Sequence, residues 1–238
     1  MSFTTTIKEE ISRIDNTKSE SIAELSGFMR NNGSYSDTTI DLVSENATVV
    51  KRVYKLCKDL YDITCEIETR KGNNFSKNNL YLIMIDDKVD FILKDLSVID
   101  ENGEYLPKPA SYIADSEAEI RAYLRGSFLT KGSINDPKTS RYHLEFLIDE
   151  REEAEFIQKL LNNFSLNSKI LSREKGYMVY IKEAEKIGDF LRIISAFNAV
   201  LYYEDIRIYR DHKNMTNRLN NCEQANIDKI VETATKQL

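Results

Sequence analysis

The sequence predicts an α+β fold made of two pseudo-symmetric halves, each with its own antiparallel sheet, and three observations lead there. Segments with apolar residues every three or four positions alternate with short extended segments. The same order of elements occurs twice along the 238 residues. Two glycine-bearing helical segments, overlaid at an offset of 99, agree at five of twelve positions, which makes duplication the simplest reading.

The first half opens with a helix near Ile7 to Ile14 and a second from Ser21 to Asn31, ended by Gly33. Thr39 to Val43 reads as extended. Ala47 to Tyr61 is an amphipathic helix with Val50, Val53, Tyr54, Cys57 and Leu60 on one face. Ile63 to Glu68 alternates as a strand does, Leu80 to Ile85 is a further strand, and a helix through Phe91 closes the unit. Pro107 and Pro109 interrupt regular structure in Leu106 to Ala110. The order then returns as helix 117–130, strand 141–148, helix 150–164, strands 167–173 and 177–181, and helix 183–195. The divisions are a first half over 1–105, a linker over 106–116, a second half over 117–200 and a helical extension over 201–238.

The overlaid helices match at Ala23/Ala122, Leu25/Leu124, Gly27/Gly126, Gly33/Gly132 and Ser34/Ser133. A glycine inside a helix costs roughly 1 kcal/mol against alanine, so two at equivalent places imply close backbone approach. Gly27 and Gly126 are therefore expected to face each other across a pseudo-two-fold axis, with Gly33 and Gly132 as C-terminal caps.

Composition narrows the function. Apolar residues make up 41% of the chain, enough for a real core, while scarce proline and glycine (three and eight) argue against long linkers. Met1 to Ile11 lacks the basic start and apolar core of a signal peptide, and no apolar run reaches membrane-spanning length, so a cytoplasmic, nucleoid-associated protein is expected. Cys57, Cys65 and Cys222 are widely spaced and only His143 and His212 accompany them, so neither a metal site nor a cofactor is expected. There is no glycine-rich phosphate loop and no nucleophile elbow. The net charge of −6 disfavours coating of nucleic acid by bulk charge and leaves local clusters to decide.

Leu25-Ser-Gly-Phe-Met-Arg-Asn-Asn-Gly33 and Leu124-Arg-Gly-Ser-Phe-Leu-Thr-Lys-Gly132 resemble the paired motifs of monomeric LAGLIDADG homing endonucleases. The wider text is more specific. Tyr123 to Pro137, Tyr142-His-Leu-Glu-Phe146 and Asn217-Arg-Leu-Asn-Asn-Cys-Glu-Gln-Ala-Asn226 are similar to the WhiA family of sporulation and cell-division regulators, a likeness running from Ser2 to about Gln237. It implies a duplicated LAGLIDADG homing-endonuclease-like fold that serves transcription, cell division and chromosome segregation. It also implies a C-terminal helix-turn-helix domain, which is expected to be absent from this chain.

The nucleases of that fold place an acid just before the last motif glycine of each half, and the two carboxylates hold divalent metals. Here those positions are Asn32 and Lys131. An amide lacks the anionic charge a hard cation prefers and an ammonium repels it, so the chain is expected not to be an enzyme. Asp37 and Asp136 lie a few residues further on, and Asn135-Asp136-Pro137 reads as a turn.

Candidate contacts to double-stranded DNA are Lys131, Lys138 and Arg141 around the second motif, and Arg70, Lys71 and Lys77 in the loop 70–78. The segment after Tyr203, up to Asn221, reads as locally basic on Arg207, Arg210, Lys213 and Arg218, with Asp211 among them. On a helix Arg210, Asn214, Asn217, Arg218 and Asn221 share a face suited to phosphates or base edges, or to holding domains together. Two readings stand: a monomeric DNA-binding regulator, weak on DNA by itself, and a scaffold whose two sheets, arranged as the saddle that grips duplex DNA in the nucleases of that fold, bind a protein partner in transcription or division. An active endonuclease is a distant third.

Overall fold

In a computed structural model, residues 2–71, 79–139 and 141–237 are described. The first half runs α1 (Phe3–Ile11), α2 (Lys18–Arg30), β1 (Ser34–Tyr35), β2 (Ile40–Ser44), α3 (Ala47–Tyr61), β3 (Glu66–Lys71), β4 (Asn79–Ile85) and α4 (Val89–Asp95). A short 3-10 turn, Ser111–Ala114, lies in the connection. The second half runs α5 (Glu117–Lys131), β5 (Gly132–Ile134), β6 (Leu144–Ile148), α6 (Arg151–Asn163), β7 (Lys169–Ser172), β8 (Tyr177–Ile181) and α7 (Ala184–Ile193). Last comes α8 (Phe197–Gln237), 41 residues and about 60 Å long at 1.5 Å per residue.

The duplication is complete at the level of topology. The sheets have strand orders β1-β2-β4-β3 and β5-β6-β8-β7, every pairing antiparallel. Both motif helices begin with a capping box, Thr17 with Glu20 on α2 and Ser116 with Glu119 on α5, at the same offset of 99. The short strands β1 and β5, which follow the motif helices directly, were too brief to show in the periodicity.

α2 and α5 cross at the glycines. A Cβ on Gly27 would stand 3.0 Å from Ser127 Oγ and collide with the Tyr123 carbonyl. One on Gly126 would stand 2.9 Å from the Phe28 nitrogen and collide with the Glu24 carbonyl. Backbone thus packs on backbone, as the paired glycines required. Gly33 and Gly132 differ from expectation: neither has the positive φ of a left-handed cap, and α2 is capped by Asn31 while Gly132 is extended, φ −83° and ψ 142°. Their missing side chains make room for aromatic rings instead, Tyr35 at Gly33 and Phe128 at Gly132.

Two buried ionic clusters hold the halves together. Glu24 on α2 takes Arg52 of α3 at 2.7 Å and Arg125 of α5 at 3.2 Å. Glu153 on α6 takes Arg30 of α2 at 2.9 Å and the Tyr123 hydroxyl. Each motif helix therefore sends an arginine to a carboxylate of the opposite half. Arg30 also donates to the carbonyls of Ser97 (2.8 Å) and Leu106 (2.6 Å), fixing the connection between halves.

α1 bridges the halves as well. It packs on α3, while Thr4 Oγ1 accepts from the Ile134 amide at 3.0 Å and donates to the Ile134 carbonyl at 2.9 Å. The Glu10 carboxylate accepts from the amides of Asn198 (2.7 Å) and Ala199 (3.0 Å), capping α8 from across the chain. Beyond Arg210, α8 is exposed on all sides, Met215, Leu219, Ile227, Ile230 and Val231 included.

Candidate nucleic-acid interface

Strand register decides which side chains face outward from the sheets, where an endonuclease of this architecture would hold a duplex. In the first sheet Ile40, Leu42, Ile83 and Ile85 point into the core, so alternation turns Asp41, Val43, Leu82 and Met84 outward. Pairing of β3 with β4 adds Glu66, Glu68, Arg70 and Leu80 to that face. In the second sheet Leu144, Phe146, Ile148, Val179 and Ile181 point inward. Glu145, Leu147, Met178, Tyr180, Lys169 and Leu171 point outward. The first outer face is thus aliphatic at its centre with acids at its rim, while the second mixes Leu147, Met178 and Leu171 with Glu145, Tyr180 and Lys169, and Arg173 lies 2.9 Å from Met178 Sδ and 4.0 Å from Glu145. Arg70 is held by Glu68 at 3.0 Å. Lys77 lies outside the described residues.

The positions that should be acidic for cleavage are tied up locally. Asn32 Nδ2 donates to the Val43 carbonyl at 2.7 Å and its Oδ1 accepts from the Val43 amide at 2.6 Å, stitching the end of α2 to β2. Lys131 Nζ lies 3.0 Å from Asp149 Oδ2. Asp136 is a turn residue, its Oδ1 accepting from the Lys138 amide at 2.9 Å. No group of three or more His, Cys, Asp or Glu capable of holding a metal occurs among the described residues.

Between these motif ends lies a cleft of about 820 Å³. α1 contributes Lys8 and Glu9 to its wall, the turn into α3 contributes Glu45 and Asn46, and α5 contributes Thr130. Burial brings the Lys8 ammonium down to about 8, against the opposing pull of Glu45. Lys8 gave no signal in the sequence because it sits on α1, far from both motifs in the chain.

The C-terminal candidates separate into two groups. Arg207 is bound to Glu204 at 2.6 Å and Asp211 at 3.7 Å; Glu204, one turn upstream, was the partner the local charge pattern obscured. Arg210 donates to the carbonyls of Pro137 (2.6 Å) and Thr139, with its guanidinium 4.6 Å from the centre of the Tyr142 ring. It clamps α8 to the loop after β5. Lys138 lies over the Tyr202 ring at 5.4 Å in the same junction. By contrast Arg141, Lys213, Asn214, Asn217 and Arg218 are exposed, and their side chains have no ion pair among the described residues. These cations lie on or beside the α8 junction, off the sheet faces.

The comparisons with known proteins agree with this architecture. Residues 18–99 match the model of the WhiA N-terminal LAGLIDADG-like domain and residues 120–213 that of the WhiA LAGLIDADG-like domain. A probable cell division protein WhiA of Brevibacillus brevis is 42% identical over 242 aligned residues, covering 100% of this chain and 77% of the relative. The crystal structure of full-length DUF199/WhiA from Thermatoga maritima superposes with a TM-score of 0.72 at 23% identity, covering 95% of this chain and 75% of that one. The homing endonuclease I-WcaI, bound to its DNA recognition sequence, superposes with a TM-score of 0.53 at 16% identity, covering 79% and 86%. With two family domains in register with the two halves and this identity over its whole length, the chain belongs to the WhiA family.

Proposed function

We propose that the chain serves cell division as a DNA-binding regulator, on an endonuclease scaffold that no longer cuts, and that it meets duplex DNA along the α8 junction rather than across the sheets. The observation that carries this reading is the division of charge. The outer face of the first sheet is aliphatic and acid-rimmed. Arg141, in the loop before β6, and Lys213 and Arg218, on α8, are exposed and have no salt bridge among the described residues. Asn214 and Asn217 on the same stretch add neutral donors and acceptors for phosphate or sugar oxygens. With few cations and a net charge of −6, binding should be weak and nearly independent of sequence. Relatives named for cell division, and a structural neighbour bound to its DNA recognition sequence, support the class of activity.

The test is fluorescence anisotropy with two unrelated duplexes of equal length. The reading expects similar, weak affinities for both. Tight binding of one duplex alone would contradict it and place base recognition within these two halves.

A second reading, a protein-docking scaffold, is favoured by Val43, Leu147 and Leu171, 38%, 41% and 49% exposed on the outer faces.

A further inference from the structure

Among the described residues, three buried polar side-chain atoms lack a hydrogen bond: Asn46 Nδ2, Ser127 Oγ and Tyr142 Oη. Buried donors are almost always paired, so an orphan calls for an explanation, and an absent ligand is one. Asn46 lines the cleft between the motif ends. Its Oδ1 accepts from the amides of Thr48 (2.8 Å) and Val49 (3.4 Å), which fixes the nitrogen as the unsatisfied end.

Other groups of the same cleft make matching demands. The Lys8 ammonium has three protons and, among the described residues, one hydrogen bond, a long one of 3.4 Å to the Thr130 carbonyl. α3, a helix of 15 residues, begins with Ala47 and Thr48 on the cleft wall, presenting the positive end of its dipole. Glu9 lines the cleft without a hydrogen bond or ion pair among the described residues, leaving a carboxylate that can accept from hydroxyls. Leu129 and Tyr81 supply apolar wall.

We propose that this cleft binds a small phosphate-bearing ligand of nucleoside-monophosphate size, its phosphate taken by Lys8 Nζ, Asn46 Nδ2 and the N-terminus of α3, and its sugar hydroxyls by Glu9. Donors lining one cleft beside a helix N-terminus suit a group with several acceptor oxygens. The volume of about 820 Å³ falls in the range of small-molecule sites, about 300–1,000 Å³. A sugar gives Glu9 the hydroxyl donors that inorganic phosphate lacks.

The experiment titrates the protein with inorganic phosphate, with the adenosine, guanosine, cytidine and uridine 5′-monophosphates, and with duplex DNA, following amide chemical shifts and melting temperature. At least one nucleotide is expected to shift the amides of residues 45–49 and of Thr130, and to bind about tenfold more tightly than phosphate. Lys8→Met and Asn46→Asp should each weaken it about tenfold, as expected for removal of one hydrogen bond to a charged group. Asp keeps the cap acceptor of Asn46 and removes the donor. Where either variant fails to fold, Lys8→Gln or Asn46→Ser takes its place. The proposal is overturned by absence of nucleotide binding up to about 10 mM, by binding that both substitutions leave unchanged, by phosphate binding as tightly as the nucleotides, or by duplex DNA shifting the same amides at lower concentration than any nucleotide.

Discussion

Gly126→Ala is the smallest change that attacks the interface between the halves. The new methyl would stand 2.9 Å from the Phe28 nitrogen and closer still to the Glu24 carbonyl oxygen, both backbone atoms of the opposing helix. Normal separation of non-bonded atoms is about 3.5–4.0 Å, so α2 and α5 must part by roughly 1 Å, a gap that forfeits a quarter to a half of the dispersion attraction along the crossing. The cross-half pairs Arg125–Glu24 and Arg30–Glu153 stretch with them. Overpacking alone costs about 1–3 kcal/mol; with the weakened packing and ion pairs, about 3 kcal/mol or more is expected. At about 2–4 °C per kcal/mol for a chain of this size, the melting temperature should fall by roughly 6–12 °C. Gly188→Ala is the control. Its methyl would meet the tip of the Glu204 side chain, which can rotate away, and should change the melting temperature by no more than about 2 °C. Thermal unfolding followed by circular dichroism reads both, and a Gly126→Ala protein melting within about 2 °C of the parent would refute the close-crossing account.

Further outcomes follow from the ionic clusters, the motif ends and α8. Glu153→Ala strands the Arg30 guanidinium, whose side chain is 0% exposed, and should cost about 3–5 kcal/mol in urea unfolding; a destabilisation under about 1 kcal/mol would mean the cluster is not holding the halves. Lys8→Met removes an ammonium that burial disfavours and should stabilise the protein by about 3 kcal/mol at pH 7. Because the folded Lys8 titrates at about 8 and the unfolded one at 10.5, the parent loses this penalty as pH rises through that window, so the advantage of Met should shrink between pH 8 and 10.5. An advantage that grows with pH there would reverse the sign of the argument. Incubation of supercoiled plasmid with Mg²⁺ or Mn²⁺ should give no double-strand breaks, since Asn32 and Lys131 are engaged with Val43 and Asp149; breaks abolished by Asp37→Ala or Asp136→Ala would make the chain a nuclease. Arg210→Ala should raise hydrogen exchange in residues 205–214, where α8 is clamped to the loop after β5, and unchanged exchange would show that the clamp is not structural.

Much of the fold was legible because duplication turns weak local signals into a repeated one. A single glycine in a helix says little, whereas Gly27 and Gly126 at equivalent places demanded a close crossing that the structure contains. The long amphipathic helices 47–61 and 150–164 were placed within a residue or two, since an apolar stripe over several turns is hard to mimic. The capping boxes at Thr17 and Ser116 were also present in the text, as Thr-x-x-Glu and Ser-x-x-Glu at the same offset, and would have sharpened the helix starts. What could not be read were long-range partners. Nothing near Glu10 in sequence announces that it caps α8, and nothing near Arg30 points to Glu153. The α8 cations divided in the same way. Arg207 has its partner within reach in the text, since Glu204 precedes it by three residues on the same helix, whereas only the fold brings the Pro137 carbonyl to Arg210. The glycines after each motif misled in mechanism, because room for an aromatic ring leaves the same residue as a left-handed turn would.

The claim that DNA is met beside α8 and not on the sheets is tested most directly by the salt dependence of binding in two double variants. Removing a cation that neutralises one phosphate lowers the slope of log K against log salt by about 0.9. Lys213→Ala with Arg218→Ala should therefore flatten the slope by about 1.8, whatever the duplex sequence. Arg70→Ala with Lys169→Ala, on the outer sheet faces, should leave it unchanged. A slope flattened by the sheet pair and untouched by the α8 pair would contradict the account and return the DNA to the saddle.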